Sequence, residues 1–228
     1  MSASLQLARL LQLASPTLPV GAYTYSQGLE WAVESGTVRD EAGAGAWIGD
    51  LLAHGIGRYE AALVATLMSA WAAGDSHEIR RLDGDFLASR ESAELRAETA
   101  QMGFSLRRLL RDLRDDSLAG VGAAIAAWPE VAFPTVWAGI AAAWHIEREP
   151  AVAAYLWAWA ENQVMAALKA VPLGQASGQR LLAALGGRLP TIAAAALDLP
   201  EAAWSNFTPG FAIACARHET QYSRLFRS

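Results

Sequence analysis

A single long apolar stripe constrains the fold more than any other feature of the sequence. Its members recur at steps of 4, 3, 4, 3 and 4 residues: Leu95, Thr99, Met102, Leu106, Leu109 and Leu113. This spacing places all six side chains on one face of an α-helix, whereas a strand would require alternation. The other faces carry charged residues: Arg96, Glu98, Arg108, Arg111 and Asp112. We therefore expect a long amphipathic helix in a bundle, with Gly103 marking a close helix crossing.

The rest of the chain also favours helix, because alanine and leucine dominate and β-branched residues never alternate over a strand's length. Prolines and glycines divide it into segments that we expect to be helical: 5–15, 26–35, 40–54, 58–73, 75–87, 150–170, 175–185, 190–197 and a short one from Pro209. Gly74 fits a left-handed helix end, and Asp75 with Glu78 resembles a capping box. The sequence thus predicts an all-α, single-domain helical bundle of about ten helices (residues 1–216), followed by a flexible C-terminal tail (217–228).

Composition excludes several classes of protein. The 228 residues carry a formal net charge of −5 and one cysteine, which disfavours a basic nucleic-acid binder and excludes an internal disulfide or a multi-cysteine zinc module. The N-terminal segment lacks the basic start of an export signal. Residues 117–146 are long enough to cross a membrane but are broken by Pro129 and Pro134, so we expect buried core helices there and charged surface helices over 75–116. A cytoplasmic protein that does not bind membranes is the prediction.

No catalytic site or cofactor is predicted from the residues. Lys169 is the only lysine and is followed by Ala170, which excludes a P-loop. The four histidines are scattered, but Cys215, His218 and Glu219 fall within one helical turn. Thiolate and imidazole suit nickel, so these three residues could bind the metal directly. Alternatively, Cys215 is a small buried apolar residue and the other two are exposed.

Two groups of polar and aromatic residues suggest contacts with other proteins. Lys169 either is exposed near a helix end or meets a carboxylate, because an unpaired buried lysine is costly. Tyr23 and Tyr25 are either core anchors or part of an adhesive surface. The tail combines aromatics with arginines, the residue types that dominate interface hot spots: Tyr222, Arg224, Phe226 and Arg227. It either becomes ordered on a partner or is simply a frayed end.

At these segments the sequence resembles the UreF family of urease accessory proteins, over nearly the whole chain. The likeness covers Ser-Pro-Thr-Leu-Pro-Val-Gly-Ala-Tyr-Thr-Tyr-Ser-Gln-Gly-Leu-Glu at 15–30, then 89–95, 101–103, Lys169, 172–175, 178–179 and 218–228. Thr24 and Ser92 are mild departures, from serine and threonine respectively.

The resemblance implies an all-α, homodimeric accessory protein, without catalytic activity, that assists assembly of the nickel centre of urease. Its implied partners are a UreD/UreH-type protein, the UreG-type GTPase and apo-urease. By this likeness the tail docks on the UreD-type partner through Tyr222, Arg224 and Arg227, and Glu30 and Lys169 are surface positions facing the GTPase or urease. Tyr23 and Tyr25 shape a loop that communicates with the tail, and Gln175 and Gln179 complete the predicted partner-binding set.

Overall fold

The computed structural model describes residues 2–228, and all regular secondary structure in that range is helical. The helices are α1 (Ala3–Ala14), α2 (Leu29–Glu34), α3 (Glu41–Leu51), α4 (Glu60–Ala73), α5 (Ser76–Ala88), α6 (Ala93–Asp112), α7 (Ala119–Ile125), α8 (Phe133–Ala143), α9 (Arg148–Ala170), α10 (Gln175–Gly186), α11 (Leu189–Leu197) and α12 (Pro209–His218). A π-helical turn, Leu52–Ile56, extends α3. The all-α prediction is confirmed.

Capping residues start and stop these helices, and those at Gly74 and Asp75 were predicted from the sequence. Gly74 ends α4 with a φ of 68°, in the left-handed region that glycine adopts freely. The Asp75 carboxylate accepts a hydrogen bond from the Glu78 amide at the start of α5, and the Ser92 hydroxyl accepts one from the Leu95 amide in α6. Each side chain satisfies one of the amides that a helix start leaves without a partner.

Helix α8 lies at the centre of the bundle and packs against α4 and α6. Trp137 is fully buried there, and its indole N–H donates to the Leu13 carbonyl of α1 at 3.4 Å. The expected central position of 117–146 holds for α8 but is wrong for α7. In that short helix only Val121 and Ile125 are buried, and Ala119, Ala123 and Ala124 are exposed.

The predicted stripe of α6 faces the core, with Leu95, Met102 and Leu106 buried. A Cβ atom on Gly103 would collide with the main-chain oxygen of Val131, which confirms the predicted close approach. Glu98 departs from the prediction: it was expected on an outer face but is 6% exposed.

Helix α9 is the centre of a second layer of helices, since α1, α10 and α11 all pack on it. Gln175–Leu197 is the one segment of the described residues that is long and apolar enough to cross a membrane by length and composition, and a third of it is buried. It consists of two helices, α10 and α11, separated at Gly187 and Arg188.

The tail (residues 217–228) differs from the unpacked, flexible segment that the sequence predicts. Its first two residues complete α12, and the remainder lies against α2 and α6. Phe226 and Ser228 are 6% and 2% exposed. This packing had no signal in the sequence because the tail has no helical stripe, and its partners are main-chain groups and scattered carboxylates.

Candidate partner-binding site

The site begins at the loop before α2, which glycines allow to turn sharply. Gly28 has a φ of 73°, and a Cβ there would lie 3.0 Å from the Cys215 nitrogen and 3.1 Å from the Ala214 Cβ. Glycine at this position therefore allows α12 to pack closely on α2. This contact brings the end of α12 and the tail beside Glu30.

Glu30 is 7% exposed and accepts hydrogen bonds from the tail's main chain. Its Oε1 lies 2.6 Å from the Leu225 nitrogen and its Oε2 lies 3.0 Å from the Phe226 nitrogen. Two amides on one carboxylate fix the direction of the chain at that point. Glu30 thus faces the tail, whereas the resemblance implied an outward-facing surface position.

His218 is fully buried between two carboxylates. Its Nδ1 lies 2.7 Å from Glu94 Oε2, and its Nε2 lies 3.2 Å from Glu30 Oε2. Each ring nitrogen therefore lies within hydrogen-bond distance of a carboxyl oxygen, so the histidine joins α2 to α6. Glu94 also pairs with the Arg224 guanidinium at 2.5 Å, which ties the tail to the same network.

The last residue, Ser228, is held by both backbone and side chain. Its main-chain oxygen accepts hydrogen bonds from the amides of Ser26 at 2.6 Å and Gln27 at 3.0 Å. Its hydroxyl donates to Glu98 Oε2 at 2.8 Å, and the Gln27 side-chain amide donates to Glu98 Oε1 at 2.7 Å. We call the five residues that receive the tail the tail dock: Ser26, Gln27, Glu30, Glu94 and Glu98.

Burial raises the pKa of Glu98 to about 7, from an ordinary value of 4.5. Removal of the carboxyl from water disfavours its charged form. The hydrogen bonds from Gln27 and Ser228 oppose the shift only in part. The residue that holds the end of the tail therefore changes charge near neutral pH.

Two aromatic rings and one lysine form a cluster beside the tail dock. The Lys169 ammonium is 5.5 Å from the centre of the Phe226 ring and 5.9 Å from that of Tyr23, within the range of cation–π attraction. Arg227 donates its amide to the Thr24 carbonyl at 2.8 Å. Tyr25 is buried, which raises its hydroxyl pKa, and a hydrogen bond with Arg227 partly offsets this.

The predicted residues divide into three groups. Tyr25 and Glu30 are buried beneath the tail, which confirms the core-anchor interpretation for Tyr25. Tyr23, Lys169, Tyr222, Arg224 and Arg227 lie on or beside the tail and are exposed. Gln175 and Gln179 are exposed on the first turns of α10, and their side chains form no hydrogen bond within residues 2–228.

The structure separates the three residues proposed for direct nickel binding. Cys215 is buried against Leu51 and Phe211, and burial raises the pKa of its thiol. Glu219 instead caps α6, where it accepts from the Ala93 amide at 2.7 Å. His218 is engaged by Glu30 and Glu94 as described. Across residues 2–228, no group of three histidine, cysteine or acidic side chains is arranged to hold a metal ion.

A cavity of about 100 Å³ adjoins the inner side of the dock. Its polar walls have partners within the protein: the Trp159 indole donates to Gln27 at 2.7 Å, and the Tyr155 hydroxyl donates to Glu60 at 2.9 Å. Glu98 also borders it. Glu98 therefore contacts the end of the tail on one side and borders the cavity on the other.

Sequence reasoning did not find Glu94 and Glu98 as site residues. One signal was present, since Glu94 and Glu98 are four residues apart and Glu98 lies one turn from both Leu95 and Met102. These spacings place Glu98 beside the buried stripe. Ser26, Gln27 and Ser228 had no such signal, because their contacts join a loop and a tail that lie far apart in the sequence.

Comparisons with known proteins are consistent along the whole chain. The family model described as UreF matches residues 38–186. The urease accessory protein UreF of Dechloromonas aromatica (strain RCB) is 77% identical over 228 residues, which is 100% of both chains. That of Azoarcus sp. (strain BH72) is 65% identical and covers 98% of this chain and 96% of its own.

A fused relative is similar as well. The bifunctional urease accessory protein UreEF of Bordetella bronchiseptica is 48% identical over 226 residues, which is 98% of this chain and 52% of that protein. The names of these relatives describe accessory proteins of urease rather than enzymes. The matched model and the extent of these identities show that the chain belongs to the UreF family of urease accessory proteins.

Proposed function

We propose that this protein is a cytoplasmic, homodimeric scaffold for nickel insertion into urease. In this proposal it binds a UreD/UreH-type protein and, with it, recruits a UreG-type GTPase to apo-urease. Nickel is the cargo of the assembly. The scaffold influences the GTPase cycle by binding one state of its partner more tightly than another, which shifts their populations.

The docked tail is the observation that carries this proposal. Tyr222 and Leu225 are 105% and 73% exposed, although the chain beside them is fixed by Glu30. Large hydrophobic side chains exposed on a hydrogen-bonded main chain favour a protein contact, because less main-chain entropy remains to be lost on binding. Arg227 adds an exposed cation to the same segment.

The name of the Bordetella relative supports a further partner. About half of UreEF is similar to this chain, and its name indicates that the same protein also contains a second accessory protein, UreE. Two proteins fused in one chain are held close together, so each encounters the other at a high effective concentration. We infer that a UreE-type protein also acts in the assembly that this chain serves.

Co-purification tests the proposal. The full chain and a variant lacking residues 217–228 are each expressed with a UreD-type protein and a UreG-type GTPase. We expect only the full chain to retain both partners and to support urease activation. Thermal unfolding of the truncated variant controls for loss of the fold.

A single substitution refines the same experiment. Arg224→Ala removes a tail guanidinium that pairs with Glu94, whereas Arg96→Ala removes an exposed arginine that pairs with Glu130 and contacts no tail residue. We expect the first change to weaken the complex and the second to leave it intact. An unchanged complex with both Arg224→Ala and the truncated chain would refute the proposed role of the tail.

A further inference from the structure

We propose that the outer face of α1 is a docking surface for a UreE-type protein, which it binds through an uncharged, apolar contact. The outer face consists of four residues on the exposed side of this helix: Ser4, Leu7, Ala8 and Leu11. The inference rests on the proposed function, in which a UreE-type protein acts in the same assembly. It adds that this protein touches the chain directly, and it names the surface.

Helix α1 has two apolar sides, and only one of them packs on the bundle. Leu13 belongs to the core and Leu10 packs against it. Leu7 and Leu11, in contrast, are 57% and 63% exposed. Residues four positions apart are neighbours on a helix surface, so these two side chains form one continuous apolar strip. A surface helix normally directs polar side chains to water, and the strip is therefore apolar surface that the fold itself does not use.

The outer face also lacks charge. Arg9 is the only charged residue of α1, and it turns toward the bundle. Its guanidinium lies 3.4 Å from the Asp115 carboxylate and 5.1 Å from the centre of the Trp144 ring. The central parts of protein interfaces are depleted in charged residues. The partner surface that fits the outer face is therefore also uncharged and apolar.

The two ends of the chain indicate which partner lies nearest to this face. UreEF matches 98% of this chain with only 52% of its own length, so its other unit is joined at one end of the matched region. Ser228 is 2% exposed, and its main-chain oxygen accepts the amides of Ser26 and Gln27. A chain that continued beyond Ser228 would have to leave from this buried position. Ser2 is exposed, so we infer that the UreE unit of such a fusion precedes α1.

The length of α1 places a protein attached there beside the outer face. A helix rises 1.5 Å per residue, so Leu7 and Leu11 lie only about 8 and 14 Å along the axis from Ser2. A short flexible link gives an effective concentration of about millimolar, at which even a weak contact is largely occupied. The fused arrangement therefore favours docking on the nearest uncharged apolar surface, which is the outer face of α1.

A fusion protein tests the contact directly. A metal-free UreE-type protein is joined before residue 1 of the full chain through a flexible glycine and serine linker. We expect hydrogen exchange of the α1 amides to slow about tenfold relative to the chain alone, because docking stabilises the closed helix. The double substitution Leu7→Gln and Leu11→Gln removes the apolar strip but retains good helix formers. It should return the exchange to the rate of the chain alone.

The double substitution Phe104→Gln and Ile213→Gln is the matched control. It also replaces two exposed hydrophobic side chains, which are 50% and 56% exposed and lie on α6 and α12. We expect α1 in this fusion to exchange as slowly as in the unchanged fusion. Equal exchange of α1 in the unchanged fusion and in the chain alone would overturn the inference. So would a large fall in the unfolding temperature of Leu7→Gln with Leu11→Gln, because it would assign these leucines to the fold.

Two further measurements on Leu7→Gln with Leu11→Gln separate this inference from the proposed function. We expect its oligomeric state and its co-purification with the UreD-type and UreG-type partners to be unchanged. A changed oligomeric state would assign the outer face to a second copy of the chain, and loss of the other partners would assign it to them. Either result would overturn the inference. The proposed role of the tail is tested separately, by removal of residues 217–228.

Discussion

At the scale of single residues, Glu98 shows how burial changes the chemistry of a side chain. It was expected on the charged outer side of an amphipathic helix, yet contacts with the tail and with the loop before α2 leave it only 6% exposed. Its pKa is raised to about 7, because the charged form loses its hydration. A carboxyl group with this pKa couples the stability of the tail dock to pH.

The coupling has a definite sign. Between the ordinary pKa of 4.5 and the folded value of about 7, the folded protein binds a proton at Glu98 that the unfolded chain has released. Stability from this group is therefore greatest below pH 4.5 and is lost as the pH rises through 7. We expect Glu98→Gln to remove this loss, which amounts to about 3 kcal/mol at most.

Chemical denaturation at pH 5 and pH 8 measures the effect. The difference in unfolding free energy between the two pH values should be smaller for Glu98→Gln than for the unchanged protein. Glu161→Gln is a suitable comparison, since burial raises the pKa of that carboxyl group as well but no tail residue contacts it. Equal pH dependence of the unchanged protein and Glu98→Gln would contradict the prediction.

Helix α12 leaves little space beside Gly28, and comparing a substitution there with the same substitution at Gly74 isolates this steric effect. Gly28 and Gly74 both have positive φ angles, of 73° and 68°, but only Gly28 has atoms of α12 within 4 Å of the Cβ position. Gly74→Ala should cost about 1 kcal/mol of stability from backbone strain. We expect Gly28→Ala to cost more, because α12 must also move. Denaturant unfolding of both variants measures this, and equal losses would exclude the packing contribution.

At the scale of elements, α6 is stabilised by its own residues and by the segment that follows α12. Ser92 caps its first turn, and Glu219 accepts hydrogen bonds from the amides of Ala93 at 2.7 Å and Glu94 at 3.3 Å. A carboxylate at a helix start also interacts favourably with the helix dipole. The tail and α6 therefore support each other, and loosening of one exposes free amides on the other.

The crossing of α6 over the start of α8 gives a further prediction. In Gly103→Ala the new methyl group meets the main chain of Val131 and Ala132, which cannot turn aside as a side chain can. We expect a loss of about 3 kcal/mol or more in unfolding free energy. Gly84→Ala on α5 is the control, since nothing lies within 4 Å of its Cβ position and alanine favours helix. A mild effect of Gly103→Ala would show that the helices can separate.

At the scale of the whole molecule, Lys169 lies where the bundle meets the tail. It occupies the last turn of α9, is exposed and forms no salt bridge within residues 2–228. Its contacts are the rings of Tyr23 and Phe226. We expect Lys169→Ala to lower urease activation while costing at most about 1 kcal/mol of stability. Activation assays paired with thermal unfolding test this, and a large loss of stability would assign the lysine a structural role instead.

Much of the architecture was predictable from local patterns. The α6 stripe, the end of α4 at Gly74 and the Asp75 cap depend on residues within a turn or two of one another. The Ser15–Glu30 and 218–228 segments indicated the family for a similar reason, since their residues stand in a recognisable order. Helix boundaries shifted by a few residues, most clearly at α2, where the loop residues Ser26 and Gln27 contact the tail and remain outside the helix.

The arrangement of the site depends on distant contacts that no local pattern contains. Glu30 meets Leu225 across 195 positions, and Ser228 meets Glu98 across 130. Local spacing can tell which side chains share a helix face, and it establishes an all-α bundle and its family. It cannot tell that α12 packs on α2 and carries the tail to three carboxylates. That placement, which turns Glu30 inward and Tyr222 outward, arises because burial and hydrogen bonding are satisfied across the folded chain as a whole.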